Sequence, residues 1–72
     1  MKQTDRILDY MNRFGSITPV EAMADLGVMR LAARISDIEN MGYRVVHRME
    51  KGKNRYGEKT HYMRYSLGKD ES

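Results

Sequence analysis

The sequence predicts a mostly α domain closed by a β-hairpin, an α+β chain of three helices followed by two antiparallel strands. Three observations predict it. Apolar residues recur at helical spacing through three successive segments. Each segment ends in a glycine (Gly15, Gly27 and Gly42), where a left-handed C-cap is common. From Tyr43 the apolar period changes to two, the alternation of a half-buried strand.

The first helix is expected from about Thr4 to Phe14, opened by Gln3 or Thr4, with Asp5 placed to suit the positive end of the helix dipole. Ile7, Leu8, Met11 and Phe14 form its apolar stripe. Ser16 and Ile17 read as a short extended link. Thr18-Pro19-Val20-Glu21 is the sharpest local signal in the chain: a threonine N-cap, proline at the first helical position and glutamate three residues after the cap. The helix that follows holds Ala22, Met23 and Leu26 and stops at Gly27. At about two turns it is too short to persist without packing. After the tight Gly27-Val28 connection a third helix is expected over 29–41. Leu31, Ile35 and Ile38 share a narrow sector of its wheel, flanked by Val28 and Met41, with Ala32 at the edge of that sector. Met29, Ala33, Ser36, Asp37 and Asn40 occupy the other side.

In the first strand Tyr43, Val45, His47 and Met49 point one way and Arg44, Val46 and Arg48 the other. Residues 50–59 are polar, with Gly52, Asn54 and Gly57, and read as a long hairpin loop. Thr60 to Leu67 alternates again, with His61, Met63, Tyr65 and Leu67 on one face. His47 and His61 are expected opposite one another as a cross-strand pair. The resulting order is helix, short β, helix, helix, strand, loop, strand. One domain spans 1–67, followed by a polar tail over 68–72.

With 72 residues the chain has room for one domain. It holds no cysteine, which removes disulfides and thiolate metal sites. His47 and His61 cannot build a structural zinc site by themselves. No apolar run approaches the roughly 18 residues needed to span a bilayer, and the N-terminal residues lack the apolar stretch of a signal peptide. A cytoplasmic protein without metal or cofactor is the expectation. Enzyme chemistry is not expected either. There is no cysteine nucleophile, no Gly-rich phosphate motif, and nothing that would activate Ser36 or Ser66.

Charge is unevenly distributed. Residues 1–43 carry five Lys/Arg against six Asp/Glu, whereas residues 44–64 carry seven (Arg44, Arg48, Lys51, Lys53, Arg55, Lys59 and Arg64) against two. A near-neutral half followed by a concentrated basic segment is the footprint of a polyanion binder.

Several stretches resemble the winged helix-turn-helix superfamily, in particular the small domains of this type found in bacteriophages and prophages. They are Ile17-Thr18-Pro19-Val20-Glu21-Ala22, Leu26-Gly27-Val28, Arg30-Leu31-Ala32-Ala33-Arg34-Ile35-Ser36-Asp37-Ile38 and Gly42-Tyr43-Arg44-Val45. The resemblance spans Arg6 to Leu67. It implies a sequence-reading, double-stranded DNA-binding protein, with the 29–41 helix in the major groove and the 50–59 loop as the wing on the backbone or in the minor groove. Transcriptional regulation and accessory roles in recombination are both compatible with it. The alternative is a winged helix that binds protein, as an inhibitor or adaptor of a host or phage complex. The chain carries seven methionines, and thioethers suit adaptable apolar contacts. The chain is expected as a monomer or weak homodimer.

The physical case is that a groove-reading helix needs one face for anchoring and one free of bulk, because the major groove is only about 12 Å wide. Met29, Arg30, Ala33, Arg34, Asp37 and Asn40 are the candidates on that helix. Arg30, near its N-terminal end, suits a bidentate contact to guanine; the alternative is that it caps or solvates the turn. Arg34 falls near the core edge and either pairs with Asp37, Glu39 or an acid of a neighbouring helix, or snorkels to a phosphate. Asp37 opposes phosphate unless it orients an arginine or accepts from cytosine. Thr18 is a candidate phosphate contact at a helix N-terminus. Lys51, Lys53, Asn54, Arg55, Tyr56 and Lys59 are the candidates in the wing, Tyr56 as a phosphate donor or as a cover for the hairpin.

Overall fold

A computed structural model describes residues 2–68; of the tail over 68–72, only Gly68 lies within them. The order is α1 (Gln3–Phe14), α2 (Pro19–Leu26), α3 (Leu31–Asn40), β1 (Val45–Lys53) and β2 (Lys59–Leu67).

In α1 the buried side chains are Ile7, Tyr10 and Met11, with Leu8 packed against them. The expected stripe is corrected at its C-terminal end: Phe14 is 69% exposed and Tyr10 takes its place. Tyr10 can be buried because its hydroxyl donates to Asp25 Oδ2 of α2 at 2.7 Å, satisfying the polar tip of an otherwise apolar ring. That bond to Asp25, reinforced by burial and by the Glu21 and Asp25 charges, pushes the phenol pKa up to about 12. The Phe14 ring lies against Tyr10 from outside, with centroids 4.6 Å apart.

The short β segment forms as a single bridge. Ile17 N donates to Tyr65 O at 2.8 Å, and Tyr65 N donates to Ile17 O at 2.9 Å. The next residue opens α2 through a complete capping box. Thr18 Oγ1 accepts from Glu21 N at 3.3 Å while Glu21 Oε1 accepts from Thr18 N at 2.9 Å. Because Thr18 is buried, its replacement by alanine leaves the Glu21 N–H without its acceptor. The expected cost is about 1 kcal/mol, read as a lowered midpoint in urea unfolding. Gly27 ends α2 at φ 69°, a left-handed conformation that other residues rarely adopt.

The third helix starts two residues later than the sequence suggests. Val28 is buried, so the chain is anchored there, and Met29 and Arg30 span the gap between helices instead of extending α3. Arg30 is the N-cap residue, at φ −121° and ψ 68°. Leu31, Ile35 and Ile38 are buried as expected, whereas Met41 is exposed.

The hairpin register pairs Val45 with Leu67 and runs without a break to Lys53 opposite Lys59. Half of the expected ten-residue loop over 50–59 is therefore strand, and only residues 54–58 connect the two. Asn54 makes this short tip possible. Its Oδ1 accepts from Tyr56 N at 2.9 Å and Glu58 N at 3.0 Å, and its own N–H donates to Glu58 O at 3.0 Å. The register also corrects the histidine pair: His47 faces Tyr65, and His61 faces Lys51. The core gathers side chains from all three helices, from Ile17 and Val28, and from Val45 and Tyr65 at the base of the hairpin.

Candidate nucleic-acid interface

With Leu31, Ile35 and Ile38 committed to the core, α3 leaves Ala32, Ala33, Ser36, Asp37, Glu39 and Asn40 exposed. Ala33, Ser36 and Asn40 follow one another at helical spacing on the side away from the core. None of the three is bulky, so the helix backbone stands close to the molecular surface along this line. Arg30 is exposed at the N-terminal end of the line. Met29, just before it, is 77% exposed.

The acids of α3 are both engaged. Asp37 Oδ2 lies 3.1 Å from Arg34 Nε one helical turn back. The two are at ion-pair distance but out of line for a hydrogen bond, and Nε finds no other partner among the described residues. Arg34 is thus half-buried along the helix and paired with Asp37, the first of the alternatives open from the sequence. Glu39 Oε2 lies 3.2 Å from His47 Nε2. The His47 ring in turn meets Tyr65 edge-on, with centroids 5.1 Å apart.

That His47–Glu39 contact fixes the side of the hairpin on which α3 ends. Strand residues two apart share a face, so Lys51, Lys53, Lys59 and His61 continue the His47–Tyr65 face outward from the body. Lys51, Lys53, Arg55 and Lys59 are exposed, and among the described residues none has a carboxylate within 4.0 Å. Tyr56 at the tip is 85% exposed, so it does not cover the hairpin.

Two wing and backbone candidates are committed elsewhere. Thr18 is 5% exposed and its hydroxyl belongs to the capping box. The Glu21 carboxylate already occupies the N-terminus of α2, where a phosphate would have to sit. Asn54 spends its side-chain oxygen on the two N–H groups of the tip and its amide on Glu58 Oε1 at 3.3 Å.

Arg64 is a further departure from the sequence reading, which counts it in the basic segment. It lies on the opposite face of the sheet and is held by Glu50 Oε1 at 2.8 Å, Ser16 Oγ at 2.9 Å and Glu21 Oε1 at 3.7 Å. The hydrogen bond from Arg64 holds the Glu50 carboxyl below its usual range, and the same bond raises Arg64. Arg64 therefore ties β2 to the α1–α2 link and is not a free cation. Only the spacing of Glu50 and Arg64 about the hairpin hinted at this, and it is readable only once the register is known.

Three helices with an extended bridge before the second, then an antiparallel hairpin, make up a winged helix-turn-helix. The chain matches the winged helix-turn-helix domain family over residues 2–70, and it belongs to that family. Neither the curated proteins nor the solved structures contain a significant match to it. Among the described residues no helix is long and apolar enough to cross a membrane.

Proposed function

We propose that this protein binds double-stranded DNA, with α3 entering the major groove and the hairpin tip lying along the backbone or in the minor groove. The observation that carries the reading is the juxtaposition of the low, exposed Ala33–Ser36–Asn40 line of α3 with cations that have no carboxylate partner among the described residues, on the same side of the sheet. Membership of the family supports it. Arg30 and Met29 stand at the groove-facing end of α3, with Arg30 as the base reader. Arg34 holds Asp37 away from phosphate. Lys51, Lys53, Arg55 and Lys59 neutralise phosphates, and the exposed Tyr56 meets the sugar-phosphate wall. The reading assigns no catalytic step and no cofactor to this surface. Its biological setting is that of a small phage or prophage-type regulator or recombination accessory factor acting in the cytoplasm.

Fluorescence anisotropy with a random-sequence duplex at low salt tests the reading. Binding that weakens steeply as salt rises is expected, with a log–log slope of about −0.9 per phosphate contact. Absence of binding at tens of micromolar protein overturns it. Once a preferred site has been selected from a random pool, Arg30→Ala is expected to cost roughly 1–3 kcal/mol on that site and less on random DNA. Equal losses on both would remove Arg30 as a base reader.

A second reading is favoured by one observation. Met23, Met29, Met41 and Met49 are all exposed, as an adaptable protein-binding surface requires. On that reading the chain is an inhibitor or adaptor, and its complexes respond little to salt.

A further inference from the structure

Among the described residues the outer edge of β1 has no partner, and its residue order suits pairing with itself. Tyr65 spends both of its backbone groups on Ile17, at 2.8 and 2.9 Å. Its cross-strand neighbour His47 must therefore turn its own N–H and C=O away from β2. The alternation of an antiparallel ladder then sends the groups of Val45, His47, Met49, Lys51 and Lys53 outward together. The intervening set points inward, as the Arg44 C=O accepting from Gly68 N at 2.8 Å shows. Among the described residues no backbone hydrogen bond reaches the outer edge. An edge on which five of the nine residues of β1 present unmet donors and acceptors is a template for another strand.

We propose that two copies of this chain join antiparallel through their β1 edges, about a two-fold axis at Met49, into one continuous sheet. The charges select this register. With the axis at Met49, Arg48 stands opposite Glu50 of the second copy, and Glu50 opposite Arg48 of the second copy. Moving the axis to Arg48, Glu50 or Lys51 sets a charge directly against its own like, which destabilises a strand pair. Moving it to His47 sets imidazole against imidazole and brings Glu50 opposite only Arg44, which lies outside β1. The Met49 register has two further merits. Met49, 59% exposed in the single chain, is covered by Met49 of the second copy. Lys51 of the second copy comes opposite His47, next to the Glu39 carboxylate that lies 3.2 Å from the His47 ring. Arg48 has no carboxylate within 4.0 Å among the described residues of the single chain, and the Glu50 carboxylate of the second copy, still bonded to its own Arg64, comes opposite it. The operation closes on itself, so assembly stops at two copies.

The test is sedimentation equilibrium of the full chain over a range of concentrations. A mass rising from 8.4 kDa to twice that value is expected. Arg48→Glu and Glu50→Arg each turn both matched pairs repulsive, and each alone should weaken association about tenfold or more. An equimolar mixture of the two variants restores both pairs and should dimerise again. Glu50→Arg also breaks the bond from Arg64 within its own chain, so circular dichroism of each variant checks that it is folded; rescue on mixing cannot come from a folding defect. Met49→Pro is the second variant: it deletes an outward N–H without touching the ladder to β2, and it should leave the chain monomeric. A wild type that stays at 8.4 kDa at every concentration, variants that dimerise like the wild type, or a mixture that does not recover overturns the proposal. The proposal does not rest on DNA binding, and neither outcome on DNA decides it.

Discussion

Ile35→Ala is expected to remove most of the domain's net stability at 25 °C. Ile35 is among the largest fully buried side chains and sits at the middle of the α3 seam, between Leu31 and Ile38. Removing a large aliphatic side chain from such a place costs about 2–5 kcal/mol, partly in lost transfer energy and partly in the cavity left behind. A core of this size rarely provides more than roughly 3–5 kcal/mol of net stability. There is no disulfide to share the load. The variant should show a much lower urea midpoint and a reduced helical signal in circular dichroism, which a stabilising osmolyte should raise. Ser36→Ala, one residue further on but exposed, is the matching control and should stay within about 0.5 kcal/mol of the wild type. An Ile35→Ala protein with an unchanged urea midpoint would mean that α3 is not anchored as described.

Reversing the charge at Lys51, Lys53 and Arg55 together is expected to weaken binding to random duplex sharply while leaving the domain folded. All three are exposed and lack carboxylate partners among the described residues, so no ion pair is broken and stability should change little. Each phosphate contact removed lowers the steepness of the salt dependence by about 0.9. Relative to wild type, the triple variant should lose roughly three units of slope if all three residues meet phosphate. It should also weaken on every sequence alike, since phosphates carry no base identity. Unchanged affinity and slope would take the hairpin out of the interface and favour the salt-insensitive, protein-binding reading. The contrast with Ile35→Ala separates the two jobs of the chain: one residue sets whether the domain exists, three set what it holds.

Much of the candidate site was legible in advance because α3 is read by a local rule. The seam of Leu31, Ile35 and Ile38 follows from periodicity, and the uncovered line on the far side follows from the seam. The wing was only half legible. Its cations are evident as a run, but their arrangement on one face depends on the strand register. The run also overcounts, since Arg64 is drawn to Glu50 and Ser16. Thr18 shows the same limit from the other direction. A threonine at a helix N-terminus suits either a phosphate or its own capping box, and only the position of the Glu21 carboxylate decides between them.

The sequence by itself determined the number and order of the helices, the α2 capping box, the presence of the hairpin and the apolar seam of α3. These depend on interactions within a few residues: the Thr18–Glu21 box, the glycines that end helices, and the change of period at Tyr43. Tertiary structure alone decided the rest. It chose Tyr10 over Phe14 as the buried ring of α1, through a hydroxyl bond to a residue 15 positions away. It shortened the loop to residues 54–58, separated His47 from His61, and bound Arg64 to a serine 48 positions distant. The physical reason is the same in each case. A buried polar group or a strand register is settled by which partner arrives through space, and local periodicity carries no record of that partner.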